Sequence, residues 1–369
     1  MPSLRISGAY LDMLLEVSTR RGADIDWSNA AAGLPRDTST PDRWIMLGWL
    51  AGTRFKQYES CKCQADLDGA IVLWREAVAL CPQNYEDRSI VMGGLVESLW
   101  TRFEVQGNVE DLDEVIELRR AVLSLPNDHV DIAARTDQNL SCRPEDHSDR
   151  PSVLDGLAIS LATRFGQNGN MDDLNEAVQL LREALSLRPH GHPERSASLH
   201  NLANILQTRF KQNGSTDDLN EAVQLHREAL SLQPHGHPGR SSSLDSLASS
   251  LQTRFEQSGS TDDLNEAVEL HREALSLCPH GHPNRSSSLN NLAGSLQTRF
   301  KQNGSTDDLN EAVELHREAL SLFPHGHPNR SASLNNLASS LGTRFEQNGG
   351  SRKVMDVKKN PTAADKIRR

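Results

Sequence analysis

The chain has 369 residues, with 39 Lys and Arg against 50 Asp and Glu and a formal net charge of −11. That balance argues against a phosphate-binding surface, so nucleic acid is not expected as a partner. No apolar run approaches the ~20 residues of a membrane span, and Leu11–Val17 is too short, with flanking charges too mixed, to read as a secretory leader. A cytoplasmic protein without a membrane partner is expected. Five cysteines, Cys61, Cys63, Cys81, Cys142 and Cys278, form an odd and unpatterned set, which suits reduced thiols better than a disulfide framework.

From the N-terminus, residues 1–40 read as a loosely ordered lead-in with a candidate helix over Ala9–Arg20. Periodicity then begins. The phrase Thr-Arg-Phe recurs at Phe55, Phe103, Phe165, Phe210, Phe255, Phe300 and Phe345, and from Phe165 onward the step is 45 residues. The step from Phe55 to Phe103 is 48, and that from Phe103 to Phe165 is 62, which is one period plus an insertion of 17. Residues 41–126 are thus two divergent repeats, with Trp74 where later copies have His, and all five tryptophans lie in the first 100 residues. Residues 127–150 are an inserted loop, 151–347 are four regular repeats ending in a capping helix, and 348–369 are a basic tail expected to be disordered. A sustained period of this length is the mark of a solenoid, in which each unit buries its apolar face only against its neighbours.

Each unit reads as two helices. In Ser241–Arg285, Leu244, Leu247, Ala248, Leu251 and Phe255 follow spacings of three and four, one stripe of a first helix. The run Ser241-Ser242-Ser243 is its expected N-cap and Gly259 its stop. A second helix follows, with Ser260 or Thr261 as cap, Asp262 and Asp263 on the positive end of its dipole, and capping-box spacing between Ser260 and Asp263. Its stripe is Leu264, Ala267, Val268, His271, Ala274 and Leu275, and Pro279 closes it before the turn Pro-His-Gly-His-Pro.

Leu247-Ala248, Ala267, Ala274, Pro279 and the phrase Leu-His-Arg-Glu-Ala-Leu-Ser-Leu resemble the tetratricopeptide repeat, in the longer form of kinesin light chains and fungal repeat proteins. The resemblance covers about residues 41–347. It implies an all-α fold of antiparallel helix pairs wound as a right-handed superhelix, and an interaction scaffold without enzymatic activity. It also implies that first helices line a concave groove where a protein or peptide partner lies. On that correspondence the groove carries His200, Asn201, Asn204 and Gln207; Asp245, Ser246, Ser249 and Gln252; Asn290, Asn291 and Gln297; then Asn335, Asn336 and Ser339. Such amides and hydroxyls donate and accept at once, which suits the backbone of an extended peptide. The basic positions of the family's carboxylate-clamp subclass are not matched. Fungal relatives often carry a CHAT-type protease or a nucleotide-binding module after the repeats, so the alternative reading is the sensor half of a signalling protein whose effector is not on this chain.

No catalytic, cofactor or metal residue is expected. The four His-Gly-His loops, at His190/His192, His235/His237, His280/His282 and His325/His327, offer two ligands each where a structural zinc takes four. The arginine of Thr-Arg-Phe is expected to bond an acid of its own second helix, Asp262 or Glu266 in the copy with Arg254. Cys278 has no counterpart cysteine in other repeats, and nothing resembles a phosphate loop or a serine elbow.

Overall fold

The computed structural model describes residues 43–125, apart from 84, 86 and 87, and residues 150–347. The lead-in, most of the inserted loop and the basic tail lie outside them. Every described element is an α-helix, and two compact units divide the chain after Pro189.

The first unit contains α1 (Arg43–Cys61), α2 (Gln64–Leu80), α3 (Arg88–Gln106), α4 (Val109–Leu123), α5 (Arg150–Asn168) and α6 (Met171–Leu187). The second contains α7 (Arg195–Asn213), α8 (Thr216–Ser231), α9 (Arg240–Ser258), α10 (Thr261–Ser276), α11 (Arg285–Asn303), α12 (Thr306–Ser321) and α13 (Arg330–Gln347). Within each unit consecutive helices pack against one another, first helix to second helix to next first helix. The expected stripes are the core: Leu244, Leu247, Ala248, Leu251 and Phe255 are buried, as are Leu264, Ala267, Val268, His271 and Ala274. Leu275 is half-buried on the same side.

Helix boundaries differ from the reading of the caps. The first helix begins at Arg240, with Gly239 as N-cap and no side-chain cap, so Ser241 and Ser243 are buried inside its first turn. The role of the serines is taken by the loop before them. His237 Nδ1 accepts the Gly239 N–H at 3.1 Å, and Arg240 donates to the Gln233 carbonyl at 2.8 Å. At the other end Gly259 has φ 71°, the left-handed conformation that glycine adopts without strain. Ser260 is the N-cap of the second helix, but its side chain makes no cap bond, whereas Ser215 and Ser305 accept from the amides of Asp218 and Asp308 at 3.4 Å. The return half of a capping box is not made, because the carboxylate of Asp263 is turned to Arg254.

That pair recurs. Arg254 Nε and Nη2 donate to the two oxygens of Asp263, each at 2.7 Å, and Arg102–Asp111, Arg164–Asp173, Arg209–Asp218 and Arg299–Asp308 repeat the fork. The acid is therefore neither Asp262 nor Glu266. Glu266 instead accepts from Arg227 of the preceding second helix at 2.7 Å, one of a set with Arg75–Glu114, Arg120–Glu176 and Arg272–Glu311. These partners are 39 residues apart in three cases and 56 in Arg120–Glu176, which spans the insertion.

The divergent first repeats keep the frame with other side chains. Trp74 is buried between α1 and α3, and a Cβ on Gly94 would come within 2.4 Å of its ring. Arg119 fills the same helix position in α4, where it is buried, donates to the Gly156 carbonyl and Ser160 and lies 5.7 Å from the Trp100 ring centre. Burial pulls its pKa down to about 10. Cys61, Cys63, Cys81 and Cys278 are free thiols.

Candidate interaction surface on the first helices

The polar residues expected to line a groove all lie in the second unit, on α7, α9, α11 and α13. They form columns repeated every 45 residues, and the columns differ in what they touch.

The column His200, Asp245, Asn290 faces the buried histidine of its own second helix. His271 Nδ1 is 2.8 Å from Asp245 Oδ1, and Ser288 of the next first helix donates to the other oxygen at 2.8 Å. His316 Nδ1 is 3.0 Å from Asn290 Oδ1. In α7 and α8 the pairing is His200 with His226, ring centres 5.2 Å apart, and neither nitrogen of the fully buried His226 has a hydrogen-bond partner among the described residues. Burial, and secondarily the His200 charge, push the His226 pKa down to about 3. These contacts join the two helices of each repeat, and they engage oxygens of Asp245 and Asn290 with the second helix.

The column Gln207, Gln252, Gln297 joins neighbouring first helices. Gln207 donates to Thr253 at 3.3 Å, Ser295 donates to Gln252 at 2.7 Å, and Gln297 donates to Ser340. Ser249 turns inward to the Asp245 carbonyl at 2.8 Å.

What remains is a narrower row. Asn201, Ser246, Asn291 and Asn336 occupy one column, with Asn204 and Ser339 beside it, and none of their side chains makes a hydrogen bond among the described residues. Asn204, Asn336 and Ser339 are exposed, and Asn201, Ser246 and Asn291 are half-buried. Asn335, exposed on α13, faces no histidine because no second helix follows it among the described residues. Sequence reasoning missed the partners Thr253, Ser288, Ser295 and Ser340, although their recurrence at the repeat step was a visible signal.

The His-Gly-His loops are turns with a defined bond. His192, His237, His282 and His327 each accept through Nδ1 the backbone N–H two residues on, at 3.2, 3.1, 3.1 and 3.1 Å. The glycine between the histidines is left-handed, with φ 91° at Gly236. Asn at the second position keeps an acceptor with the same reach. Replacing both histidines of each loop by Ser and Asn should therefore change stability in metal-free buffer by only ~0.5 kcal/mol per site, measured by denaturant melts. The contrary result is a stoichiometric metal on tag-free protein that this variant loses. Cys278 is fully buried, with Ser288 Oγ at 3.9 Å from its sulfur.

A surface built of repeated helix pairs and carrying short polar side chains in register defines a helical-repeat protein. Residues 195–239, 240–284 and 285–329 each match the tetratricopeptide repeat, so this part of the chain consists of three tetratricopeptide repeats. No curated protein matches it. Among solved structures it is similar to a putative kinesin light chain with nearly identical TPR-like repeats from Podosopora anserina. The identity there is 28%, over 58% of this chain and 95% of that one, with a TM-score of 0.41. Two others are an assembly chaperone of RpL4, 15% identical over 83% of this chain and 99% of that one (TM-score 0.46), and BtubC from P. vanneervenii, 18% identical over 70% and 91% (TM-score 0.43). No helix among the described residues is long and apolar enough to cross a membrane.

Proposed function

We propose that this protein is a non-enzymatic, cytoplasmic interaction scaffold that holds an extended peptide or partner segment along the first-helix face of its second unit. The observation that carries the reading is the row Asn201, Ser246, Asn291 and Asn336, whose side chains have no hydrogen bond among the described residues, whereas Asp245, Asn290 and the glutamine column are engaged. Unengaged amides at a fixed step suit main-chain groups of a bound strand, which recur at fixed steps too.

The test is a triple variant, Asn201→Ala, Asn291→Ala and Asn336→Ala, compared with wild type by quantitative affinity capture. Each lost amide contact is worth about 0.5–1.5 kcal/mol, so captured partners should fall steeply while circular dichroism and melting stay unchanged. The control alters the exposed face of the second helices through Gln224→Lys, Glu269→Lys and Glu314→Lys, since Glu266 and Glu311 are tied to Arg227 and Arg272 of the preceding second helix, whereas Glu314 pairs only within its own helix with Arg317. Partners that survive the asparagine variant and vanish with the lysine variant would place recognition on the other face.

A further inference from the structure

The last described helix leaves open a face that its predecessors cover. In α11, Leu289, Leu292, Leu296 and Phe300 are buried, packed in part against Ala312 and Leu315 of α12. Their counterparts in α13 are Leu334, 45% exposed, Leu337 and Leu341, half-buried, and Phe345, 54% exposed. A cap needs a polar outer side. The helix expected to cap the repeats shows this apolar stripe instead.

Charge repeats the pattern. Arg299 of α11 forks onto Asp308, and Arg285 binds Glu318 at 2.9 Å, both acids on α12. Arg344 and Arg330, their equivalents on α13, have no carboxylate partner among the described residues, and Arg330 binds only the carbonyls of Leu320 and Phe323. The missing complement is therefore specified: an amphipathic helix with an Asp in its first turn, a Leu/Ala/Val stripe at steps of three and four, and a Glu ten residues after the Asp, as Glu318 follows Asp308.

We propose that the open face of α13 docks one such helix from a separate polypeptide. A second copy of this chain is the poorer occupant, because each described second helix except α6 is already packed between two first helices of its own unit. This site is distinct from the asparagine row, and its failure would leave that reading untouched.

The probe is a labelled peptide of residues 305–323, with a lactam joining exposed positions 310 and 314 (Asn310→Lys to Glu314) to hold the helix, titrated into the full chain by fluorescence anisotropy. One-to-one saturable binding is expected. Leu334→Asp with Phe345→Asp should weaken it at least about tenfold, a change of ~1.4 kcal/mol or more, and both sites are exposed enough to leave the fold intact by circular dichroism. Arg344→Asp should abolish binding, and a peptide carrying Asp308→Arg should restore it. No binding at roughly 1 mM, near −4 kcal/mol, overturns the proposal, as does binding insensitive to the α13 variants. Self-association of the chain lost in Leu334→Asp/Phe345→Asp would give the face to a second copy. Peptide binding that emerges only after Val354→Asp and Met355→Asp would give it to the chain's own residues 348–369. Either result overturns a separate partner.

Discussion

Phe255→Ala is expected to cost about 3–5 kcal/mol, the range for deleting a buried aromatic ring, because Phe255 ends the stripe of α9 with 4% of its surface exposed. Its carbonyl also accepts the Gly259 N–H at 2.7 Å, so the ring anchors the segment where the first helix gives way to the second. Repeats couple mainly to their neighbours, so the loss should be local. Hydrogen exchange is expected to rise across residues 220–320 and to change little in α1–α4. Uniform loss of protection along the chain would contradict independent stacking.

Acid should loosen the repeat of α7 and α8. His226 is depressed to about 3 in the folded state against about 6.5 unfolded, so its protonation favours unfolding. The contribution is intact above about pH 6.5 and is lost at about 1.4 kcal/mol per unit as pH falls toward 3, or about 2 kcal/mol at pH 5. No neighbouring acid offsets it. On α7 and α9, Arg195 and Arg240 are held by Glu228 and Glu273, Arg209 and Arg254 by Asp218 and Asp263, and Asp245 by His271 and Ser288. Lys211 and Glu256 are exposed, which leaves His200 as the charge acting on His226. His226→Leu, the residue at position 181 of α6, should remove this term. The stability difference between variant and wild type, from urea melts at several pH values, should widen between pH 6.5 and 5 in favour of leucine. A constant difference would show that His226 does not titrate with folding.

The repeat architecture was legible because seven phenylalanines at a near-fixed step, with stripes at three and four, admit one kind of helix pair. Caps and partners were harder. The serine run looked like an N-cap by composition, yet His237 and Arg240 supply the turn's bonds and the N-cap is Gly239, two residues before Ser241. Asp262 and Asp263 are adjacent, and one residue turns a helix by about 100°, so only the rotation of α10 selects Asp263 for Arg254. The groove columns separate through contacts between residues 26, 43 or 46 apart, such as His271–Asp245, Ser295–Gln252 and Gln207–Thr253. Those pairings belong to packing and have no local pattern.

The Arg120–Glu176 pair bridges the same two second-helix positions as Arg227–Glu266, although 17 more residues separate its members. Arg164–Asp113 likewise repeats Arg102–Asp68 across that stretch, 51 residues apart against 34. The packing of α4 and α5 thus keeps the register of the other repeats although 17 more residues separate the paired partners. Sequence distance and packing register are uncoupled at this junction, which makes it the natural seam for circular permutation, for splitting the molecule into complementing fragments, or for carrying a foreign domain as cargo.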